Sequence, residues 1–427
     1  MMEARVTHNA VVLGGNRIPF AKAGGPYAEA SNHDLLTAAL DGLVARFGLA
    51  GERLGEVAGG AVLKHPKDFN LTREAVLSSA LSPATPACDL QQACGTGLET
   101  VVYVANKIAL GQIDVGIGAG VDSASDAPIT VSDGLKRALL KANRARSAGE
   151  RVKALAAIRP RHLAPQAPGV AEPRTGLSMG EHQALTTERW GIGRAEQDEL
   201  AAASHHHLAQ AWQEGFFDDL VTPYMGVTKD AIMRPDTTVE KLGSLKPAFG
   251  GPEGTMTAGN STALSDGAAA ALIASEDWAA ARGLTALARI VDAEVAAVDH
   301  PGGADLLLGP VAATGRMLAR RGLTLDDFAL VEIHEAFAST VLATLKAWED
   351  ADYCRSVGLD GPIGTLDRSR LNVTGSSLAV GHPFAATGAR LVPTLAKLLH
   401  ARGPGSKGLI SMCAAGGQGV VAILEAV

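Results

Sequence analysis

The stretch Gln91-Gln92-Ala93-Cys94-Gly95-Thr96-Gly97-Leu98-Glu99-Thr100 places a cysteine directly before an apolar helix pattern. A thiol at a helix N-terminus lies at the positive end of the helix dipole, beside unpaired backbone N–H groups. Both favour the thiolate, which is the nucleophilic form of cysteine. Gly95 and Gly97 leave room for a substrate to approach the sulfur. The stretch therefore predicts a reactive Cys94, although a cysteine buried as a small apolar residue also fits it.

Composition narrows the class of protein. The chain has 427 residues, of which 47% are hydrophobic, 19% charged and 4% aromatic, and 49 are glycine. This length predicts two or three domains, and this balance favours a large buried core over disorder. The scarcity of aromatic residues and the net charge of −7 argue against a nucleic-acid partner.

Cysteine usage indicates a reducing compartment, and we expect a cytoplasmic location. Four cysteines in so long a chain do not make a disulfide framework. The chain has no C-x-x-C pair, which argues against a structural zinc site, and no metal is expected. The segment before Val11 lacks the apolar region of a signal peptide. The glycine-rich stretch from Gly408 to Leu424 predicts two strands joined by a turn rather than a membrane span.

Strand and helix patterns alternate over the first 122 residues and again over the last third. Apolar runs predict strands at 11–13, 57–63, 115–120, 330–333 and 409–412. Helical spacing predicts helices at 35–44 (capped by Asn32), 73–81, after Cys94, at 311–321, from Ala336, and from His382-Pro383 to Leu399. This alternation predicts a mostly parallel sheet with helices on its faces, built by an internal duplication.

The segment 123–250 differs from both halves. Its part from Lys136 to His162, the basic segment, contains nine Lys and Arg residues against the single acid Glu150. A solvated helix face and a site for phosphates or an anionic surface are both open interpretations. Three consecutive histidines, His205-His206-His207, cannot share one helix face, so an ordinary helix is favoured over a metal site.

Three further motifs carry potential chemistry. Gly381-His382-Pro383-Phe384-Ala385-Ala386-Thr387-Gly388 places an imidazole at a predicted helix start. Cys413-Ala414-Ala415-Gly416-Gly417-Gln418-Gly419 places a second thiol between a strand and a glycine turn. His334-Glu335-Ala336-Phe337-Ala338 places a polar pair between a buried strand and a helix. Each motif alone also fits a capping histidine, a core cysteine or a surface loop.

Together with Cys94, these motifs resemble the thiolase family in residue type and order. Asn16-Arg17-Ile18-Pro19-Phe20 and the run Thr257–Ala270 agree as well, so the resemblance spans essentially the whole chain. The His-Glu-Ala-Phe form resembles the thiolase subunits of fatty-acid oxidation multienzyme complexes. The resemblance implies an α/β fold with two similar α/β halves in a layered α-β-α-β-α arrangement and an inserted loop domain. It implies N-terminal core residues 1–122 and 251–280, a CoA-binding loop domain at 123–250, and a C-terminal core half at 281–427.

The resemblance also implies residue roles. Cys94 would be acylated, His382 would take its proton, and Cys413 would move a proton at the α-carbon. One oxyanion would be bound by His382 with His334, directly or through a water, where His334 replaces the Asn of many thiolases and a protonated imidazole could donate. The other would be bound by the backbone N–H groups of Cys94 and Ala415. The substrate-binding residues would be Met179, which covers the acyl group, Ser261 or Thr262, which touches the pantetheine arm, and Phe337.

The implied activity is that of an acyl-CoA C-acyltransferase, which cleaves 3-ketoacyl-CoA with CoA or condenses acetyl-CoA. CoA would be a substrate, with no tightly bound cofactor. The resemblance implies a homodimer or homotetramer, and the basic segment suggests a partner subunit of a β-oxidation complex or a weak membrane-surface contact. Three alternatives remain: a short-chain biosynthetic acetoacetyl-CoA thiolase; a decarboxylating ketoacyl synthase, which would not need Cys413; and a cysteine hydrolase, which leaves Cys413 and His334 unexplained.

Overall fold

A computed structural model gives the fold of residues 8–427; residues 1–7, most of the segment searched for a signal peptide, lie outside it. Within residues 8–427, no helix is long and apolar enough to cross a bilayer. The strands are β1 (Ala10–Arg17), β2 (Ala21–Lys22), β3 (Glu56–Gly59), β4 (Ala87–Asp89), β5 (Val115–Ser123), β6 (Thr130–Val131), β7 (Pro165–Gln166), β8 (Pro247–Phe249), β9 (Met256–Thr257), β10 (Ser265–Ser275), β11 (Ala288–Ala297), β12 (Phe328–Ile333), β13 (Lys407–Ala414) and β14 (Gln418–Ala426).

Helices cover both faces of the strands. They are α1 (Asn32–Phe47), α2 (Leu71–Ser78), α3 (Thr96–Ala109), α4 (Asp133–Arg144), α5 (Ala148–Leu155), α6 (Met179–Arg189), α7 (Arg194–Gln213), α8 (Val239–Gly243), α9 (Glu276–Ala281), α10 (Gly309–Arg321), α11 (Ala338–Glu349), α12 (Ala351–Ser356), α13 (Ser377–Val380) and α14 (Ala386–Arg402). Every residue of β1, β5 and β10 is buried, as expected for strands covered on both faces.

Local sequence explains where α1 begins and ends. The Ser31 hydroxyl accepts from the Asp34 N–H and the Asp34 carboxylate accepts from the Ser31 N–H, so both N-terminal donors are satisfied. Gly48 ends the helix at φ 65°, a conformation that glycine adopts without steric cost. The cap is therefore Ser31 and not Asn32, which is the first helical residue.

One ten-stranded sheet runs in the order β12-β13-β14-β11-β1-β10-β5-β3-β4, with β2 beside β10. Only β12–β13, β3–β4 and β3–β5 pair in parallel. The expectation of a mostly parallel sheet is therefore wrong. Alternating patterns predict the order of elements but not strand direction, and β1, β10, β11 and β14 pair antiparallel across long stretches of chain. The layered α/β architecture itself stands, and the division of the chain at 122, 250 and 280 remains a prediction.

The glycine-rich C-terminal stretch forms two strands, as predicted. β13 and β14 are joined through Gly416 and Gly417, which have φ values of 78° and 72°. The triple histidine lies in helix α7, also as predicted. Its three rings bond to three different groups: the Arg234 N–H, the Thr237 carbonyl and the Asn372 carbonyl.

The helix predicted to start at His382 begins four residues later, at Ala386. His382 is extended, because its N–H donates to Ser265 Oγ at 3.1 Å and the residue bridges to Leu264. The Ala385 N–H donates to the Asp122 carboxylate at 2.8 Å, so this group is satisfied outside the helix. The imidazole consequently projects from a loop that precedes α14.

Helices α3 and α14 cross at very short range. A Cβ on Gly97 would lie 2.3 Å from the Ala385 carbonyl oxygen, and a Cβ on Gly388 would lie 2.2 Å from the Leu98 nitrogen. Only glycine permits this approach of two backbones. The crossing presses the chain that follows Cys94 against the chain that follows His382.

The basic segment forms most of α4 and all of α5. Each of its nine Lys and Arg side chains is exposed to solvent. Lys136 and Arg137 pair with Asp133 on the same helix, so part of the charge is balanced locally. Large apolar side chains are exposed beside these charges: Leu139, Leu140, Val152, Leu155 and Leu163.

Candidate active site

Cys94 lies in a tight turn that precedes α3. Ala93 has a φ of 47°, a left-handed conformation that costs a non-glycine residue about 1–2 kcal/mol. The turn is held by the Thr96 side chain, whose hydroxyl donates to the Ala93 carbonyl at 2.7 Å and accepts from the Gln92 N–H at 2.8 Å. Strain of this kind at a predicted nucleophile is typical of functional turns.

The thiol of Cys94 is not poised as a thiolate. Burial raises its pKa to about 12, and the Ala415 backbone N–H, which faces the sulfur, only partly offsets this rise. The expectation that the helix terminus favours the thiolate is therefore wrong, because desolvation outweighs the dipole. Cys94 needs a base to become nucleophilic.

Two histidines form the polar wall of the site. The rings of His334 and His382 lie 4.2 Å apart between centroids. Nδ1 of His382 bonds to Thr387 Oγ1 at 2.7 Å, and Nδ1 of His334 bonds to Ser377 Oγ at 2.8 Å. The Nε2 atoms of both rings are buried and have no partner within residues 8–427. Two ring nitrogens are thus available to a substrate.

Both imidazoles are neutral. Burial, assisted by the Arg390 charge, lowers the pKa of His382 to about 3. Burial, the neighbouring His382 and Arg390 lower the pKa of His334 well below its usual value. The expectation of a protonated His334 as donor is therefore wrong. A neutral ring whose Nδ1 accepts from the Ser377 hydroxyl still carries a hydrogen on Nε2 and can donate it.

Arg390 contacts the serine that bonds to His334, and the sequence analysis did not identify it as a site residue. Its guanidinium, fully inside the protein, donates to Ser376 Oγ and Ser377 Oγ at 3.1 Å each, so it holds the hydroxyl that orients His334. Glu332 shares this environment, and burial raises its pKa to about 8. The available signal was an arginine at a position of α14 whose neighbours are all apolar.

Glu335, the second member of the His-Glu pair, faces away from the reactive groups. Its carboxylate accepts from Ser204 Oγ and Asn372 Nδ2 at 2.7 Å each and from the Leu378 N–H at 3.2 Å. These bonds join α7, β12 and α13 behind the site. Glu335 is therefore a structural group that fixes the position of the adjacent His334.

Cys413 lies near the end of β13, the strand whose Ser411 carbonyl accepts from the His334 N–H at 2.9 Å. It is buried, and burial together with the nearby Cys94 raises its pKa. It packs in an apolar cluster with Met256, Leu306, Leu307, Ala336 and Phe337, against which Met179, Ala184 and Phe249 also pack. The structure thus brings Cys94, Cys413, Met179 and Phe337 to one place.

Ser261 and Thr262 border the same region. Ser261 bridges to Phe337 through the backbone, and its hydroxyl is buried without a partner in the described part of the chain. The Thr262 N–H and hydroxyl both donate to the Ala336 carbonyl at 3.1 Å. Leu264, two residues further on, is 60% exposed. The segment therefore runs from the apolar cluster to the surface.

A buried carboxylate that the sequence analysis missed, Asp122, lies between the nucleophile and the histidine loop. It accepts from the backbone N–H groups of Val62, Leu63 and Ala385 at 2.7–3.0 Å, although it is completely buried. Desolvation raises its pKa to about 7. The available signal was an acid at the end of the otherwise apolar run 115–123.

The assembled groups suit acyl transfer coupled to proton transfer at carbon. Two thiols and the Ala415 N–H lie close together beside an apolar cluster. The chain that follows Cys94 packs against the chain that follows His382, which carries a neutral imidazole. An imidazole can accept the proton of Cys94, whereas Cys413 serves no purpose in a simple hydrolysis. No cluster of metal-ligating side chains is present within residues 8–427.

Comparisons with known proteins agree with this geometry. The family model described as thiolase, N-terminal domain, matches residues 10–277, and that of the thiolase C-terminal domain matches residues 284–426. The 3-ketoacyl-CoA thiolases of Yersinia pestis and Yersinia pseudotuberculosis are 41% identical over 422 residues, which is 97% of this chain and 96% of theirs.

Solved structures give the same result. The acetyl-CoA acetyltransferase of Bacillus anthracis superposes with a TM-score of 0.82 at 30% identity, covering 99% of this chain and 100% of that one. Human mitochondrial 3-ketoacyl-CoA thiolase gives a TM-score of 0.81 at 29% identity with the same coverage. The complex of the human enzyme with CoA gives 0.80 at 29% identity, covering 99% of each chain.

Proposed function

The chain belongs to the thiolase family, and from this we propose that it is an acyl-CoA C-acyltransferase that cleaves 3-ketoacyl-CoA. The products are acetyl-CoA and an acyl-CoA shortened by two carbons, and the reverse direction condenses acyl-CoA with acetyl-CoA. CoA is a substrate. The observation that carries this proposal is the pair of neighbouring thiols, half-buried Cys94 and buried Cys413, together with the histidine pair.

Acylation begins with proton transfer from Cys94 to Nε2 of His382. Thr387 Oγ1 accepts the hydrogen on Nδ1 and so leaves Nε2 free to act as the base. The Cys94 sulfur attacks the 3-keto carbon, and the bond between the α-carbon and that carbon breaks. The acetyl-CoA enolate takes a proton from Cys413, which leaves an acyl-Cys94 thioester and acetyl-CoA.

Deacylation restores both thiols. The CoA thiol gives its proton to the Cys413 thiolate and attacks the acyl-Cys94 carbonyl. The Cys94 sulfur leaves and recovers the proton held by His382. All protons are returned, so the cycle consumes one 3-ketoacyl-CoA and one CoA without another reactant.

Two sets of donors fit the two oxyanions. We assign Nε2 of His334, with the protonated Nε2 of His382, to the enolate oxygen of acetyl-CoA, because both nitrogens are buried without a partner in the described residues. The backbone N–H groups of Cys94 and Ala415 face the other, which we assign to the oxygen of the thioester intermediate. Donors held in a dry site are worth far more than in water. Met179 and Phe337 would cover the acyl chain, and Ser261 or Thr262 would border the pantetheine arm.

The test is a direct assay of the purified protein with CoA and 3-ketoacyl-CoA substrates of short and long chain. CoA-dependent loss of the ketoacyl thioester supports the proposal, and the chain-length profile separates a degradative enzyme from a short-chain biosynthetic one. No cleavage, with Cys94 still alkylated rapidly by iodoacetamide, would contradict it and favour a hydrolase.

The paired histidines favour one second candidate, a decarboxylating ketoacyl synthase. Such an enzyme joins one cysteine to two histidines, and His334 and His382 meet that requirement. It would release carbon dioxide from a malonyl thioester and would be indifferent to the loss of Cys413. Assaying malonyl-CoA decarboxylation in the presence of an acyl-CoA distinguishes the two.

The basic segment supports a proposal about partners. Its exposed cations and the exposed Leu139, Leu140, Val152 and Leu155 form a surface suited to weak contact with an anionic membrane. The same surface would suit a partner subunit of a β-oxidation complex, or the phosphates of CoA. Co-sedimentation with anionic vesicles at low and high salt tests the membrane contact, and salt-insensitive or absent binding removes it.

Strand β4 supports a proposal about assembly. It ends the ten-stranded sheet, and within the described chain its outer edge has no neighbouring strand. Phe69, before α2, is 91% exposed. Unpaired edges and exposed aromatic groups are usually covered, so a homodimer or homotetramer is proposed. Light scattering on the purified protein gives the mass of the assembly.

A cytoplasmic location and a role in fatty-acid β-oxidation are also proposed. The role is proposed from the 3-ketoacyl-CoA thiolase relatives, and the location from the four free cysteines.

A further inference from the structure

Glu172 is a buried carboxylate that takes no part in the chemistry described above. It is only 8% exposed and lies in the segment between β7 and α6. Its Oε1 accepts from the Gly416 N–H at 2.6 Å, across 244 residues of sequence. A short hydrogen bond that a backbone N–H donates to a carboxylate is among the stronger hydrogen bonds in proteins.

The residue that Glu172 binds belongs to the turn that faces the nucleophile. Gly416 directly follows Ala415, whose N–H points at the Cys94 sulfur. Peptide planes are rigid, and only φ and ψ of Ala415 separate its own N–H from the plane that Glu172 holds. Gly416 and Gly417 are both left-handed and have no side chain to restrain the turn. The Val298 N–H holds the Gly417 carbonyl at 2.8 Å, and Glu172 holds the Gly416 N–H, which is the side of the turn next to Ala415.

The other end of this link is the segment that covers the site. The Glu172 N–H donates to the Leu177 carbonyl at 2.8 Å, and Ala171 bridges to Ser178, which closes a hairpin over residues 171–178. Ser178 caps α6, and Met179, the first residue of that helix, packs against the cluster around Cys413. One side chain therefore ties the covering hairpin to the oxyanion turn.

The surroundings of Glu172 keep the carboxylate in place. His300 Nε2 lies 3.8 Å from its Oε2, and the His300 ring packs edge-on against His182 at 5.9 Å between centroids. His182 in turn bonds to Thr175 Oγ1 at 2.7 Å, within the same hairpin. The carboxylate thus sits in a packed polar pocket and not on a mobile surface.

We propose that Glu172 is a positioning residue that holds the Ala415 N–H in line with the oxygen of the Cys94 thioester intermediate, from within the 171–178 hairpin that leads into Met179. This inference rests on the proposed thiolase function.

The test compares three substitutions at position 172. In Glu172→Ala, kcat for thiolysis should fall about 10- to 100-fold, less than the roughly 10²- to 10³-fold of deleting a donor outright. KM for the ketoacyl substrate should stay within about threefold, because binding does not need the oxyanion. Glu172→Gln keeps an acceptor oxygen at the same reach and should stay within about threefold of wild type in kcat. Glu172→Asp keeps the charge but is one methylene short, and should resemble the alanine variant.

Two controls separate positioning from general damage. Alkylation of Cys94 by iodoacetamide forms no oxyanion, and the Ala415 N–H only partly offsets the effect of burial on the thiol, so the alkylation rate should fall much less than kcat in the alanine and aspartate variants. Glu188→Ala removes an exposed carboxylate of α6 with no hydrogen bond to the turn and should leave kcat unchanged.

Three results would overturn the inference: full kcat in the alanine variant, equal losses in the glutamine and alanine variants, or parallel losses of alkylation and thiolysis. If the alanine variant does not fold, the order of the glutamine and aspartate variants decides. If the wild-type protein cleaves no ketoacyl-CoA, the proposed function is wrong and this inference is wrong with it. If the wild-type protein cleaves ketoacyl-CoA and substitutions at position 172 leave kcat unchanged, only this inference is wrong.

Discussion

The His334 and His382 rings lie 4.2 Å apart and are tilted by 48°, and each is fixed by its own hydroxyl, Ser377 and Thr387 respectively. At this distance a proton on one ring disfavours a proton on the other, since like charges in a dry site repel strongly. The pair can therefore contain only one protonated, positively charged imidazole at a time. His382 precedes the crossing of α3 and α14, and we expect its ring to be the one that accepts and returns the Cys94 proton.

The first prediction separates the two thiols. Cys94→Ala should abolish all turnover. Cys413→Ala should retain exchange of labelled CoA into acetyl-CoA, which needs only acyl transfer at Cys94. Its cleavage of acetoacetyl-CoA should fall about 10²- to 10⁴-fold, the usual contribution of a general acid–base.

The matched control for this pair is Cys354→Ala. Cys354 is also buried, but it donates to the Ala347 carbonyl at 3.3 Å within the C-terminal core and touches no reactive group. Its cleavage rate should be unchanged. Wild-type cleavage by the Cys413 variant would refute the role assigned to that thiol.

The second prediction concerns His382 as the base. The Cys94 pKa of about 12 leaves almost no thiolate at neutral pH, so alkylation depends on transfer of its proton to the imidazole. His382→Asn should slow alkylation of Cys94 by iodoacetamide about 10²-fold, measured by mass spectrometry over time. His33→Asn, on α1, should react like wild type. An unchanged rate in the His382 variant would mean that another group activates the thiol.

The third prediction follows from Asp122. The folded protein binds a proton there up to about pH 7, whereas the unfolded chain does so only up to its ordinary value of 3.8. Between those values the folded state binds more protons, so this group makes stability fall as pH rises. Asp122→Asn stays neutral and removes that dependence.

The measurement is the free energy of unfolding of Asp122→Asn relative to wild type, at several pH values between about 4 and 7. We expect the difference to shift in favour of the variant as pH rises, on top of a constant loss from the amide nitrogen, which cannot accept the Ala385 N–H. Asp133→Asn, at an exposed site on α4, should show no such slope across this range. A flat difference for Asp122→Asn would show that its carboxylate is ionised throughout.

The fourth prediction tests the crossing of α3 and α14. Gly388→Ala places a methyl group 2.2 Å from the Leu98 nitrogen, so the helices must separate. Overpacking of this kind costs about 1–3 kcal/mol, and we expect a lower Tm together with lower kcat, because the crossing aligns the Cys94 and His382 segments. Gly149→Ala in α5, where a Cβ meets nothing within 4 Å, should instead stabilise by about 0.5–1 kcal/mol. An unchanged Tm for Gly388→Ala would show that the helices tolerate a wider crossing.

The sequence named four candidate reactive side chains through motifs that together resemble the thiolase family, and each candidate lies at the end of a local pattern. Cys94 precedes a helix, Cys413 ends a strand, and His334 and His382 lie in loops between apolar elements. Local patterns also gave the β13–β14 hairpin and, to within about four residues, the six helices that the sequence analysis placed, out of the fourteen in residues 8–427. The positions of these helices and strands depend mainly on neighbouring residues, so a single sequence is enough to predict them.

The rest depends on partners that are distant in the chain. Arg390, Asp122 and Glu172 act through groups on other elements, such as Ser377, the Ala385 N–H and Gly416, and no local pattern brings these together. The expected parallel pairing of the strands was wrong for the same reason, because strands that are distant in the chain pair with one another. The ionisation of Cys94 was predicted wrongly because the helix terminus is visible in the sequence, whereas the desolvation that outweighs it appears only in the folded protein.

The strand order has a consequence for the order of events during synthesis. The proposed nucleophile, Cys94, is carried by the N-terminal half of the sheet, whereas its base and the second thiol belong to the last elements, α14 and β13. A ribosome therefore releases Cys94 long before either partner exists, and domains fold in the order in which they emerge. Until the final hairpin docks, Cys94 is an ordinary exposed thiol without its base or the second thiol. The proposed acyl transfer therefore requires the completed chain.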